Sequence, residues 1–454
     1  MRLRYLFLSI ALGANIGAAS AADDLMSLYQ KALNYDADYR AALASTDADR
    51  EETNKAKALF YPKAQLSASR GRGETERTTQ NTLGSVETDL DYRTQNYALS
   101  VRQPLFNKET FATYQGAKSF VSSREELLRQ ETAKLMLKLT STYLEILYAA
   151  EKVTLLEAKI GAVEQQLNQA EKRFKQGVGT VVEINEAQTN LDIAKAELIL
   201  ANNALTDHKE ALLNMTGQVP EISIKLETKK LPTKLEASEN LDFWLSSAKQ
   251  QNPEIAAAMH AVEVARQEIE KKRAGHFPTL DLVGVRSLSE NDSNNTLGSR
   301  FDTTTIAVQM NVPLFAGGYV NASVRQAQDK LVAAEEALNG KTREASANVR
   351  KYFNGVQSQL LSIQAYQQAV KSSDIALTGT QKGFVAGIKT NIEVLDAQQK
   401  LFSSQLELSR TQYALINDMV NLKYSAGLLN EVELAKVNQL FTGNGGYEKH
   451  VSNE

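Results

Sequence analysis

Four lines of apolar residues, each recurring at every seventh position, constrain this chain more than any other feature. The first line is Leu139, Ile146, Val153, Ile160, Leu167 and Phe174; the second, past a glycine break, is Ile184, Leu191, Leu198, Leu205 and Leu212. Both return 210 residues later, as Val349, Val356, Ile363, Val370, Leu377 and Phe384 and then Val394, Leu401, Leu408, Leu415 and Leu422. A seven-residue apolar repeat makes helices supercoil about one another, and because 210 is a multiple of seven the register survives the repeat. Companion positions are small or mixed, Ala187, Ala194 and Ala201 in one line and Ser404 and Thr411 in its counterpart, which predicts close helix approach. Each half is expected to hold a helix of about 70 residues, roughly 100 Å long, then a glycine turn and a shorter returning helix.

Proline placement agrees. Pro62, Pro104, Pro220, Pro232, Pro253, Pro278 and Pro313 are the seven prolines, so 105–219 and 314–454 lack the residue that breaks helix interiors. Phe60-Tyr61-Pro62 is matched by His276-Phe277-Pro278, Pro104-Leu105-Phe106 by Pro313-Leu314-Phe315, Phe174 to Gly177 by Phe384 to Gly387, and Gly217 by Gly427. The chain reads as a tandem duplication: a first repeat 22–219, a linker 220–241, a second repeat 242–428 and a tail 429–454. Pro62, Pro104, Pro278 and Pro313 are expected at strand–helix junctions.

Between those prolines the period drops to two. Thr304, Ile306, Val308, Met310 and Val312 alternate with Thr305, Ala307, Gln309 and Asn311, and Tyr97, Leu99 and Val101 alternate with Asn96, Ala98, Ser100 and Arg102. These are two-faced strands. Strand pairs are expected in 64–103 and 279–312, each strand about 10 residues, which suits a tilted transmembrane strand, with polar loops at 73–93 and 289–295. The fold class is therefore α+β. Four strands cannot close a barrel, and an open edge in lipid leaves amide groups without partners, so several chains must share one barrel; eight strands from a dimer or 12 from a trimer would both close.

The N-terminus, with Arg2, Arg4, an apolar run and then Ala19, Ser20 and Ala21, predicts a secretory signal peptide at 1–21. The absence of cysteine excludes disulfides, thiol catalysis and a cysteine-linked lipid anchor. A net charge of −3 without a basic block argues against a nucleic-acid partner. His208, His260, His276 and His450 form no metal-ligand spacing, and no phosphate loop or nucleophile motif is present, so neither a cofactor nor an enzyme is expected. Trp244 lies in a weakly amphipathic helix and is expected as an anchor in the core or in a groove.

Ala-Lys-Gln-Gln-Asn-Pro-Glu at 248–254, Val-Pro-Leu-Phe-Ala-Gly-Gly at 312–318 and Gly-Ile-Lys-Thr-Asn-Ile-Glu-Val-Leu-Asp-Ala at 387–397 carry a more specific signal in their order. With them, essentially the whole mature chain resembles the TolC family of outer-membrane efflux and secretion proteins, and Gly-Leu-Leu-Asn-Glu at 427–431 is closer to its non-lipidated members than to the drug-efflux lipoproteins. The resemblance implies a homotrimer sharing a 12-stranded barrel in outer-membrane lipid, a periplasmic helical tunnel, and a mixed helix–strand girdle from the linker and the tail. It implies passive export of proteins (type I secretion), of small toxic compounds (multidrug efflux), or of both, with a periplasmic adaptor (membrane fusion protein) and an inner-membrane ABC or RND-type translocase. A soluble periplasmic coiled-coil adaptor without a pore is the alternative.

It also assigns sites. Glu393 and Asp396, on one helix face, would form an acidic ring at the periplasmic entrance, with Glu183 and Glu186 their repeat equivalents 210 residues earlier. Lys389 and Phe384 fall at the entrance latch, where the family has an arginine and a tyrosine; lysine lacks the planar fork and phenylalanine the hydroxyl, so the latch is expected to be weaker or wired differently. Gly177, Gly179, Gly383 and Gly387 sit at the helix reversals, which in the family are also where the adaptor docks.

Overall fold

The computed structural model describes residues 23–82, 84–219, 224–234, 236, 239–293 and 296–442. The expected signal peptide and residues 443–454 of the expected tail lie outside the described residues. The first half runs α1 (Leu25–Tyr35), α2 (Ala37–Ala58), β1 (Lys63–Asn81), β2 (Gly84–Phe106), α3 (Lys108–Lys175) and α4 (Val181–Thr216). After β3 (Lys225–Leu226), the same order returns as α5 (Leu241–Gln251), α6 (Pro253–Arg273), β4 (Thr279–Ser293), β5 (Thr296–Asn311), α7 (Tyr319–Val385) and α8 (Asn391–Ser425). The chain finishes with α9 (Glu431–Asn438) and β6 (Phe441–Thr442). The heptad lines do form long helices, 68 residues in α3 and 67 in α7.

The sequence repeats are not the units of packing. Among the described residues, one compact unit joins 23–40 with 133–244 and 349–442, and the other joins 41–132 with 245–348. Each unit draws on both repeats, because α3 and α7 are too long to belong to one core and contribute to both.

The second unit holds a four-stranded antiparallel sheet in the order β1-β2-β4-β5. The two hairpins join through β2 and β4, leaving β1 and β5 as edges. Four aligned rows show how the faces differ. Ala64, Val101, Gly284 and Ile306 lie side by side, followed by Leu66, Leu99, Arg286 and Thr304 on the same face. Gln65, Ser100, Val285 and Thr305, then Ser67, Ala98, Ser287 and Thr303, share the other. Leu66 is 74% exposed and Ile306 77%, so the apolar face is bare in the single chain, as a lipid-facing surface is.

The expected polar loops prove to be strand. Pairing continues from Gly73 opposite Tyr92 to Asn81 opposite Gly84, and β4 extends through Ser289 to Ser293, so β1 and β2 reach 19 and 23 residues. Backbone ladders need no apolar alternation; here polar side chains pair across strands instead, Arg72 with Asp91 and Arg300 with Glu290. Residues 294–295 of the second expected loop lie outside the described residues. Pro62 and Pro278 directly precede β1 and β4, and Pro313 follows β5. Pro104 departs from expectation: it lies inside β2 at a register shift between Pro104 and Phe106, because proline cannot donate to the ladder.

The first unit closes around a core from segments far apart in sequence. Leu25, Leu28 and Tyr29 of α1 meet Leu139, Tyr143 and Ile146 of α3, Leu212 of α4, Ile416 of α8, Leu434 of α9, and Ile224 and Leu231 of the linker. β3 of the linker pairs with β6 of the tail, so the two segments from which a girdle was expected do meet. Trp244 is buried, and its ring N–H donates to the Glu239 carbonyl at 3.2 Å.

Candidate entrance site at the helix tips

α3 and α7 each reverse through five residues, 176–180 and 386–390, and the two turns are bonded alike. The Val178 and Gly179 amides donate to the Arg173 carbonyl at 3.0 and 3.2 Å; 210 residues later the Ile388 and Lys389 amides donate to the Gly383 carbonyl at 2.8 and 3.1 Å. Gly177 (φ +79°) and Gly387 (φ +76°) hold the left-handed position each turn requires. Each returning helix then begins with a capping box: Thr180 with Glu183, and Thr390 with Glu393.

The tips differ in where they carry their basic group. Arg173 and Gly179 at the first tip correspond to Gly383 and Lys389 at the second. In each case glycine makes room: a Cβ on Gly383 would sit 2.7 Å from Lys389 Cγ, and one on Gly179 would sit 2.9 Å from the Phe174 nitrogen and 3.1 Å from Arg173 Cβ. Glycine and basic side chain have exchanged places between the repeats.

Lys389 donates to Glu393 Oε1 at 2.5 Å, within its own turn. That ammonium, helped by the Thr390 amide, holds the Glu393 carboxyl at about 2, well below its usual range. In the single chain Lys389 of the expected latch is therefore tied to Glu393 of the expected ring. Asp396 is exposed on the same helix. Glu186 turns one carboxylate oxygen into the interior, where no described residue donates to it.

Links between the two hairpins join Phe384 of the expected latch to residues the sequence did not single out. Gln166 of α3 donates to the Asn391 side-chain oxygen, and the Asn391 amide group donates to the Glu183 carbonyl at 3.5 Å. Both side chains are buried, and their polar ends satisfy one another as a low-dielectric site requires. The Arg173 guanidinium lies 4.5 Å from the Phe384 ring centre, a cation–π arrangement. Phe384 is 6% exposed while its repeat equivalent Phe174 is 45% exposed. The position that lacks the family's hydroxyl still serves as an aromatic platform. The exchange of Arg173 for Gly383 in the repeat alignment was the available signal for this; nothing local marks Gln166 and Asn391, which are 225 residues apart.

Phe174 also shows how the first apolar line fares. Leu139 and Ile146 are fully buried, whereas near the tip Val163 and Ala170 take over as Phe174 emerges. An α-helix drifts about 20° per heptad against a strict seven-residue repeat. Over five heptads that carries the line off the intrachain contact. Val178, Val181, Val182, Val385 and Ile388 leave an apolar surface at both tips. His208, on α4, faces Glu145 of α3 at 3.3 Å, a polar contact between helices.

The description "outer membrane efflux protein" matches residues 28–218 and 244–428, the two repeats. The chain belongs to the outer membrane efflux protein family. It is 30% identical to the alkaline protease secretion protein AprF of Pseudomonas aeruginosa, across 91% of this chain and 86% of that one. It is 29% identical to the outer membrane protein TolC of Vibrio cholerae, across 96% and 98%. Among solved structures, that of CusC superposes with a TM-score of 0.78 at 20% identity, covering 92% of this chain and 95% of that one, which establishes a TolC-like channel fold. The protein is an outer-membrane export channel subunit with a periplasmic helical part. Its open-edged sheet is the share one chain brings to a barrel, and channels of this family are homotrimeric. The pore-free adaptor is not this family's role.

Proposed function

We propose that the homotrimer exports polypeptide received from an inner-membrane ABC-type translocase through a periplasmic adaptor, and that the helix tips form its entrance. The sheet supports the channel: a bare apolar face and two open edges are tolerable only when neighbouring chains close the barrel in lipid. The likeness to AprF, a protease secretion protein, favours polypeptide cargo. Energy comes from the translocase. The apolar tip surface of Val178, Val182, Val385 and Ile388 beside Gly177, Gly179, Gly383 and Gly387 is the adaptor's docking site. An RND-type translocase and efflux of small toxic compounds form the second reading, which the family's description as outer membrane efflux proteins keeps open.

At the entrance, Asp396 is the ring carboxylate available to passing cations, while Glu393 holds Lys389. Glu183 and Glu186 contribute less, one being spent on its capping box and the other turned inward. The latch is the Arg173–Phe384 stack together with Gln166–Asn391. Two measurements test this assignment. Deletion of the gene, read by paired assays of secreted protein and drug sensitivity, should abolish secretion; intact secretion with a drug-sensitive cell would replace the cargo reading by the second one. In planar bilayers, Asp396→Ala should relieve block by divalent cations more than Glu393→Ala does, and equal block in wild type and Asp396→Ala would remove the ring.

A further inference from the structure

On the lipid-facing side of the sheet, arginine takes over where the apolar rows end. Beyond Leu66 and Ala68, the same face of β1 carries Arg70 and Arg72, and beyond Leu99 and Tyr97 the same face of β2 carries Gln95 and Arg93. On β4 and β5 the change comes earlier, with Arg286 opposite Thr304 and Leu288 opposite Asp302. This staircase has the pitch of a tilted barrel. Strands about 4.8 Å apart and tilted about 40° shift the membrane level by about 4 Å, roughly one residue, from each strand to the next. Three steps from β5 to β1 shift it by roughly four residues. The observed boundary moves similarly, so Thr304, Arg286, Tyr97 and Arg70 stand at one depth. That depth lies toward the hairpin ends, away from the strand ends that join the helices, and so on the outer leaflet side.

The charges at this level do not cancel. Arg286 pairs with Asp302 at 3.2 Å and Arg72 with Asp91. Arg70 makes no ion pair among the described residues, and Arg93, directly opposite Arg72, shares with it the single nearby carboxylate of Asp91, which pairs with Arg72 and attracts Arg93 only at longer range. Like charges directly opposite on a strand pair repel, and guanidinium forks on one face match phosphate oxygens in geometry and charge. We propose that Arg70, Arg72 and Arg93 form a site for the phosphate group of an outer-leaflet lipid, with Arg286 at its lower edge and Tyr97 packed beside the acyl chains at the interface. Asp91 offsets only part of the positive charge of the three arginines; phosphate is the occupant that neutralises the rest, and the apolar rows immediately below Arg70 supply the surface for the lipid's tails. The site depends on the chain's place in the outer membrane and not on which cargo it exports.

Native mass spectrometry of the purified trimer, with lipid A as the probe, tests this on assembled trimers only. Wild type should retain lipid A, and Arg70→Gln combined with Arg93→Gln should weaken retention about tenfold or more. Lys63→Gln, on the opposite face of the sheet, should leave it unchanged, and the Arg70→Lys and Arg93→Lys pair should restore part of it. Equal retention by wild type and the double glutamine variant would overturn the site. So would an equal loss in Lys63→Gln. If inorganic phosphate alone displaced the lipid at comparable concentration, the headgroup would not be anchored by its tails and the occupant would be a free anion instead.

Discussion

Glu393 does three things with one carboxylate: it closes the capping box of α8, accepts from Lys389, and stands where the family's entrance ring is expected. The lysine and the Thr390 amide favour its charged form. Its folded pKa lies below its ordinary value of 4.5, so the interaction stabilises the tip above that pH and is lost as pH falls toward about 2. Glu393→Gln should therefore reduce hydrogen-exchange protection of the 390–393 amides at neutral pH, and the difference from wild type should vanish as the pH drops from about 5 to about 2. Because the pair is solvent-exposed, added salt should shrink it too. A pH-independent difference would mean the glutamate acts through shape alone.

At the scale of elements, the two tips are one device built twice. Gly387 holds the left-handed residue that ends α7, a position where a Cβ is penalised by about 1 kcal/mol and where asparagine is tolerated best after glycine. Gly387→Ala should destabilise the tip by about 1 kcal/mol and Gly387→Asn by less, read as faster local exchange of residues 383–393 with the rest of α7 unchanged. Equal effects would mean that backbone conformation is not what glycine supplies there. The tips were largely legible in the sequence, because glycine spacing and heptads are local signals. The buried bridge from Gln166 to Asn391 was not, since it exists only after two hairpins pack. Nor were the outer halves of β1 and β2: with Arg72, Glu74, Glu76 and Asp91 on one face and Thr75 and Thr88 on the other, both faces are polar and the two-residue period vanishes although the ladder continues. The four strands themselves were legible where one face meets lipid.

For the whole molecule, the decisive property is that neighbouring residues of one edge strand serve two different solvents. Ile306 lies in the apolar row with Val101 and Gly284, while Thr305, the next residue along β5, lies with Val285 and Ser100 on the face that turns inward when three chains close the barrel. An arginine on the lipid face near the bilayer midplane costs roughly 2–4 kcal/mol per chain, and a trimer carries it three times. Ile306→Arg should therefore strongly reduce the yield of trimer in the outer membrane. Thr305→Arg should assemble in near-normal yield, because its guanidinium reaches water in the bore, and it should shift single-channel conductance and ion selectivity toward anions. Gel mobility of unheated membrane extracts gives the first quantity and planar-bilayer recording the second. If both variants failed to assemble alike, the strand's two faces would not differ in environment and the barrel's sidedness would be wrong. If Ile306→Arg assembled and changed selectivity while Thr305→Arg did not, the sheet would be inside out, and the arginines above the apolar rows would face the bore, not the lipid.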